Sequence, residues 1–206
     1  RKVLISPSSV RSVARADRVL NVNLSLQQVR DSPSIDTAKP VVRQHEIDHY
    51  NYYGYPYYWD GSNLWGASMF PVPWADTPPG PTERKPRLDR AVDSADSHLR
   101  SANEVIGYEI MASDGPIGGV KNLFFDDESW AILHIAVDTR KWLPGKHVLL
   151  SPESIERISW LDHEMSVNMT RHAVETSPHY DPSRPPLREH EGAGGKDRPR
   201  RTGRVT

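Results

Sequence analysis

The sequence predicts an all-β protein: a small antiparallel barrel with short flanking helices, plus a partial second copy of the same unit. Three observations predict it. Between Val105 and Thr170 the apolar runs are short and are broken by turn residues at regular intervals. No long helical pattern separates those runs, which favours a barrel or sandwich over a parallel sheet. The opening residues repeat a segment from inside that region.

The elements follow from the punctuation. Tyr108 to Met111 is a short strand closed by Ser113-Asp114-Gly115, where Gly tolerates positive φ and Asp bonds its own backbone. Ile117 to Phe125 is the next strand, and Gly118-Gly119 inside it marks a bulge or sharp bend. Asp126-Asp127 turns the chain into Trp130 to Val137, which is apolar on both pleat faces. Leu143-Pro144-Gly145 leads to a strand at His147 to Leu150, which Ser151-Pro152 breaks. Ile158 to Trp160 and Met165 to Met169 then bracket a hairpin turn at Leu161 to Glu164. That makes about six strands of ordinary length.

Asp114-Gly-Pro-Ile-Gly-Gly-Val120, Leu123-Phe-Phe-Asp126 and Ile135-Ala-Val-Asp138 together resemble the PRC-barrel domain. This is the fold of the cytoplasmic domain of the photosynthetic reaction centre H subunit and of the C-terminal domain of the ribosome maturation factor RimM. The resemblance covers roughly residues 102–170. It implies a docking or adaptor domain that is not an enzyme, and it supplies no catalytic residue.

Composition narrows the classes. A 36% hydrophobic content with 18 Pro in 206 residues predicts that part of the chain stays outside a packed core. A net charge of −1 argues against a whole-molecule field for nucleic acid. Zero Cys removes disulfides, thiolate catalysis and Cys-based zinc, and fits a cytoplasmic, reducing location. No apolar run approaches a membrane span.

RKVLISPSSV at the start echoes KHVLLSPESI at Lys146–Ile155, and the register then holds without a gap. Ser6-Pro7 match Ser151-Pro152, Val22-Asn23 match Val167-Asn168, Ser32-Pro33 match Ser177-Pro178, and His45-Glu46 match His190-Glu191. We read an internal duplication whose first copy begins mid-strand, without a counterpart of Ser101–Gly145. The expected organisation is a truncated first repeat at 1–59, a Pro-rich linker at 60–100, a complete repeat at 101–182 and a basic, disordered tail at 183–206. A half barrel has open edges, so residues 1–30 are expected to pair with the second barrel, to swap between chains, or to be poorly ordered. The bland alternative is a fragment of a gene encoding two full barrels.

Each copy adds a short helix. Ser25-Leu-Gln-Gln28 is a capping box, and Thr170 is an N-cap. Ser32-Pro33 and Ser177-Pro178 end these helices. A third helix is expected at Arg43 to Tyr53, stopped by Gly54. It carries His45-Glu46-Ile47-Asp48-His49, the H-E-x-x-H spacing that sets two imidazoles on one helix face for zinc with a Glu as base. Asp48 before the second His departs from the zinc-protease pattern, no third ligand follows, and the second copy lacks the second His. A solvated helix face is the plainer reading.

Behind that string lie Tyr50, Tyr52, Tyr53, Tyr55, Tyr57, Tyr58 and Trp59. Such rings give large contact area at low entropic cost, so they form a candidate interaction surface. The competing reading is that the segment wraps its own barrel and covers an edge. The function expected is therefore an adaptor that docks a protein partner, with no cofactor and no metal. The alternatives are a zinc-dependent hydrolase using the HEIDH string, or an RNA-associated factor using the basic tail. Homo-oligomers through open strand edges are also compatible with this reading.

Overall fold

The computed structural model describes residues 1–14, 16–36, 39, 41–71, 97–139, 143–144, 146–177, 180–181 and 202–205. Most of the expected linker and most of the expected basic tail lie outside the described residues. The chain divides into two compact units, Arg1–Ser101 and Ala102–Thr206.

The first unit starts with a 3-10 turn at Pro7–Ser9, then strands β1 (Val10–Ala14) and β2 (Val19–Val22) and helix α1 (Leu26–Asp31). β1 and β2 form an antiparallel hairpin. Among the described residues they pair with no further strand. The expected capping box is present: Ser25 Oγ accepts from Gln28 N, and Gln28 Oε1 accepts from Ser25 N. Strand β3 (Val41–Val42) leads into helix α2 (Arg43–Tyr53), and β4 (Ser97–Leu99) pairs antiparallel with β3. Gly54 ends α2 at φ 73, and the Tyr55 N–H reaches back to the Tyr50 carbonyl. This is the left-handed helix stop for which glycine is suited.

The second unit opens with helix α3 (Ala102–Val105), followed by β5 (Glu109–Ala112), β6 (Gly115–Asp126), β7 (Ile132–Asp138) and β8 (Val148–Leu150). A 3-10 turn at Pro152–Ser154 leads to β9 (Ile155–Ser159), β10 (Glu164–Val167) and helix α4 (Arg171–Thr176). The sheet order is β8-β7-β6-β5-β10-β9. Strand β11 (Thr202–Val205), at the end of the segment expected to be a tail, pairs antiparallel with β6.

Two features differ from the expected antiparallel barrel. β5 and β10 run parallel, with Met165 opposite Ile110. The two ends of the path, β8 and β9, are not paired, so the sheet is not closed. The parallel pair has a topological cause. β5 to β8 alternate direction, and β9 opposes β10, so β8 and β9 share one direction. The chain therefore passes from β8 to β9 through a corner at Ser151–Ser154, not through a hairpin, and the alternation is broken there.

Strands β5, β6, β7, β8 and β10 bury side chains in one cluster that includes Ile110, Ile117, Val120, Ile135, Val148, Leu150 and Met165, and Ile155 and Ile158 of β9 pack against it partly buried. Val174 of α4, fully buried, joins it. α4 is set by both its own sequence and the turn before β6: Thr170 Oγ1 accepts from Ala173 N, and Asp114 Oδ1 accepts from Arg171 N at 2.7 Å. Gly118 lies where the β5–β6 register shifts, as the paired glycines predicted. Its φ is +133, and an added Cβ would stand 2.0 Å from the Asp138 carbonyl oxygen.

The same local geometry recurs at one constant offset. Pro7–Ser9, β1, β2 and α1 match Pro152–Ser154, β9, β10 and α4 residue for residue in their bounds. Ser6 and Ser151 both cap the 3-10 turn. Asn23 N donates to Ser9 O at 2.8 Å, and Asn168 N donates to Ser154 O at 2.9 Å. Arg18 and His163, equivalent in that register, both hold φ 55.

The Gly118→Ala chain is expected to lose about 2 kcal/mol or more of second-unit stability, because the Cβ meets fixed backbone. Gly119→Ala is the control, since its Cβ would meet ordinary contacts at 3.4 Å. Urea unfolding followed by near-ultraviolet circular dichroism separates the two; equal midpoints would refute this account.

Candidate functional site

The aromatic residues singled out in the sequence gather in the first unit, and most face inward. Tyr53 and Tyr55 are buried, Tyr50, Tyr57, Tyr58 and Trp59 are half-buried, and Tyr52 alone of the seven is exposed. The helix period sets this pattern. Positions 46, 49, 50 and 53 fall on one face of α2, and Gly54 then sends Tyr55 to Trp59 back beside that face. Tyr50 sits at the centre, with the rings of Tyr55, Tyr57, Tyr58 and Trp59 at centroid distances of 5.2–6.1 Å. Tyr55 bonds the Ser9 hydroxyl of the 3-10 turn, and Tyr52 donates to the Gln28 carbonyl at 2.9 Å. The aromatic segment therefore braces the hairpin block that precedes it. Residues 63–68, at the start of the expected linker, form tight bridges, and Trp65 reaches Tyr58.

Burial moves the titrations of this cluster. The Tyr55 phenol is pushed up to about 12, chiefly by desolvation. Tyr50 and Tyr58 are also raised, first by desolvation and then by nearby groups that include Glu46. Desolvation thus favours the protonated phenols, and that of Tyr58 donates to Glu46.

Glu46 is a fully buried carboxylate. The Arg43 guanidinium donates to it at 2.6 Å and the Tyr58 hydroxyl donates at 3.0 Å. Arg43 also lies over the Trp59 ring at 4.0 Å. The carboxylate and guanidinium thus tie the start of α2 to the returning chain, and the ring face adds a cation–π contact. This arrangement separates the members of the HEIDH string. His45 and Asp48 are exposed, Glu46 is bound to Arg43, and His49 is 3% exposed. Among the described residues no group of three His, Cys, Asp or Glu side chains is placed to hold a metal ion.

His49, Tyr53 and the rings around them line an apolar cavity of about 340 Å³. Leu4 to Pro7, Glu46, Tyr55, Tyr58, Leu64, Trp65 and Leu99 complete its wall. Burial lowers the His49 pKa, His45 adds to the lowering, and Asp48 opposes it. His49 is consequently neutral at ordinary pH, with one ring nitrogen a donor and the other an acceptor.

A second surface was not singled out in the sequence. Val13, Val19 and Leu20 on the β1–β2 hairpin are 42%, 46% and 48% exposed. Met165, which occupies the place of Leu20 in the second unit, is 2% exposed in the core, on the strand next to β5. The signal was present in the alignment of the two segments, since Leu20 stands opposite a core residue. No helix among the described residues is long and apolar enough to cross a membrane. No protein-family model matches the chain, and no curated protein matches it.

Two outcomes test this description. Arg43→Met is expected to cost about 3–5 kcal/mol of first-unit stability because it strands a buried carboxylate, whereas Arg43→Met with Glu46→Leu recovers most of the loss. A double-mutant cycle in urea measures it, and additive losses would remove the pair from its bracing role. His49 supplies a pH signature. Its folded pKa lies below the ordinary 6.5, so the unfolded chain binds the proton more readily. First-unit stability should fall as pH drops below about 6.5 and level off below the lowered folded pKa. His49→Phe should flatten that part of the stability–pH curve.

Proposed function

We propose that this chain is an adaptor without enzymatic activity that docks an extended segment of a protein partner along the open edge of β2. The observation that carries the reading is the contrast between Leu20, 48% exposed, and Met165, 2% exposed, at matching places in two geometrically equivalent hairpins. In the second unit Met165 lies in the common core, and its strand is flanked by β5, which runs parallel to β10. The partner strand would occupy the corresponding position beside β2. Such strand addition draws affinity from main-chain hydrogen bonds and specificity from alternate side chains. The partner segment would resemble Glu109–Ala112, with an apolar residue standing beside Leu20 as Ile110 stands beside Met165.

The proposal includes a PRC-barrel-type second unit and an internal duplication. Support for the first comes from the quoted motif residues, the single core wrapped by six strands, and a path whose two ends are joined by a short corner. Support for the second comes from the shared caps, hydrogen bonds and left-handed hairpin residue. A cysteine-free chain suits the cytoplasmic placement that accompanies this reading.

A labelled peptide of residues 106–114 tests the docking directly by fluorescence anisotropy with the intact chain. Binding in the micromolar range, about −8 kcal/mol, is expected, weakened at least about tenfold by Leu20→Asp. Absence of binding, or an affinity indifferent to Leu20→Asp, would sink the proposal.

A further inference from the structure

The cavity against α2 has a feature that packing alone does not explain. His49 is 3% exposed and lines the cavity, yet neither ring nitrogen has a hydrogen-bond partner among the described residues. The Tyr53 hydroxyl, on a side chain also 3% exposed, is likewise without one. Buried polar groups are satisfied in the great majority of cases, and an unsatisfied one calls for an explanation. Tyr53 stacks beside His49 with the ring planes 10° apart, so the two polar ends are held on neighbouring turns of the same helix face.

The walls define the chemistry of what fits. Tyr50, Tyr53, Tyr55, Tyr58 and Trp65 are aromatic, and Leu4, Ile5, Leu64 and Leu99 are aliphatic. The one carboxylate in the lining, Glu46, is held by Arg43, so the wall offers no unbalanced charge to attract an ion. Burial keeps His49 neutral. An apolar cavity of about 150 Å³ accommodates benzene. This one, at about 340 Å³, has room for two fused rings and lies at the lower end of the range of small-molecule sites.

We infer that the first unit binds a neutral, flat, two-ring aromatic molecule carrying one hydroxyl or ring N–H, which hydrogen-bonds to His49. The rings of the ligand lie among the tyrosines, and its polar group meets the imidazole. The neutral imidazole acts as acceptor toward a hydroxyl or N–H, and its second nitrogen, or the Tyr53 hydroxyl, serves a donor role toward an oxygen.

Titration calorimetry with the full chain tests this, using naphthol and indole as probes, naphthalene as the shape match without a polar group, and naphthoate as the charged match. Naphthol is expected to bind at one molecule per chain, at least about tenfold tighter than naphthalene or naphthoate. His49→Phe, which keeps the ring and removes the unpartnered nitrogens, should erase the preference for naphthol over naphthalene. Leu64→Trp, filling the cavity, should abolish binding of all four. In the unmodified chain, naphthol should shift the His49 ring-nitrogen resonances, so the result does not depend on a variant folding. Failure of naphthol to bind, unchanged His49 resonances, or an unchanged preference in a folded His49→Phe chain would each overturn the inference.

Discussion

A two-stranded hairpin with a six-residue helix buries too little apolar surface to hold itself in water, and both units are answers to that constraint. The second unit answers with more sheet. β5 lies beside β10, and β6, β7 and β8 extend the same layer around one core. The first unit has the same hairpin with the same caps, but among the described residues it has no strand beside β2. It answers with aromatic rings, anchored to the 3-10 turn by Tyr55 and to α1 by Tyr52.

The rings need a fixed frame, and the buried Arg43–Glu46 pair supplies it. A carboxylate with no exposed surface is costly unless its partners are in place. Here they come from both directions: Arg43 from the start of the helix, and Tyr58 from the returning chain. The same pair explains why a metal-like string has a different fate in three dimensions. Spacing along a helix sets which residues share a face, but it does not say which of them is claimed by a neighbour. Glu46 is held by Arg43, His49 is turned into the cavity, and His45 is left at the surface.

Local chemistry was legible and long-range pairing was not. The capping box at Ser25, the Thr170 cap and the Gly54 stop each depend on residues a few positions apart, so they could be read directly. The six strands between Val105 and Thr170 were legible for the same reason, because turns punctuate them. The parallel β5–β10 pair was not, since its direction depends on the corner at Ser151–Ser154 and no turn residue announces a parallel neighbour. The inward turn of the tyrosines was hidden by their chemistry: a phenol suits a surface and an interior alike, and only the return of the chain at Gly54 decides between them. The exposed face of β2 was hidden by omission, because the sequence shows what a strand contains and not what stands next to it.

The parallel contact between β5 and β10 has a mechanical meaning. These are the first and last strands of the six-strand path in chain order, so tension applied at the two ends of that segment reaches them before the others. Pulling the leading end of β5 against the trailing end of β10 slides two parallel strands past each other. Every hydrogen bond between them then bears load at the same time, where an antiparallel closure would peel open one rung after another. The geometry of this pair is that of a clasp under longitudinal pull.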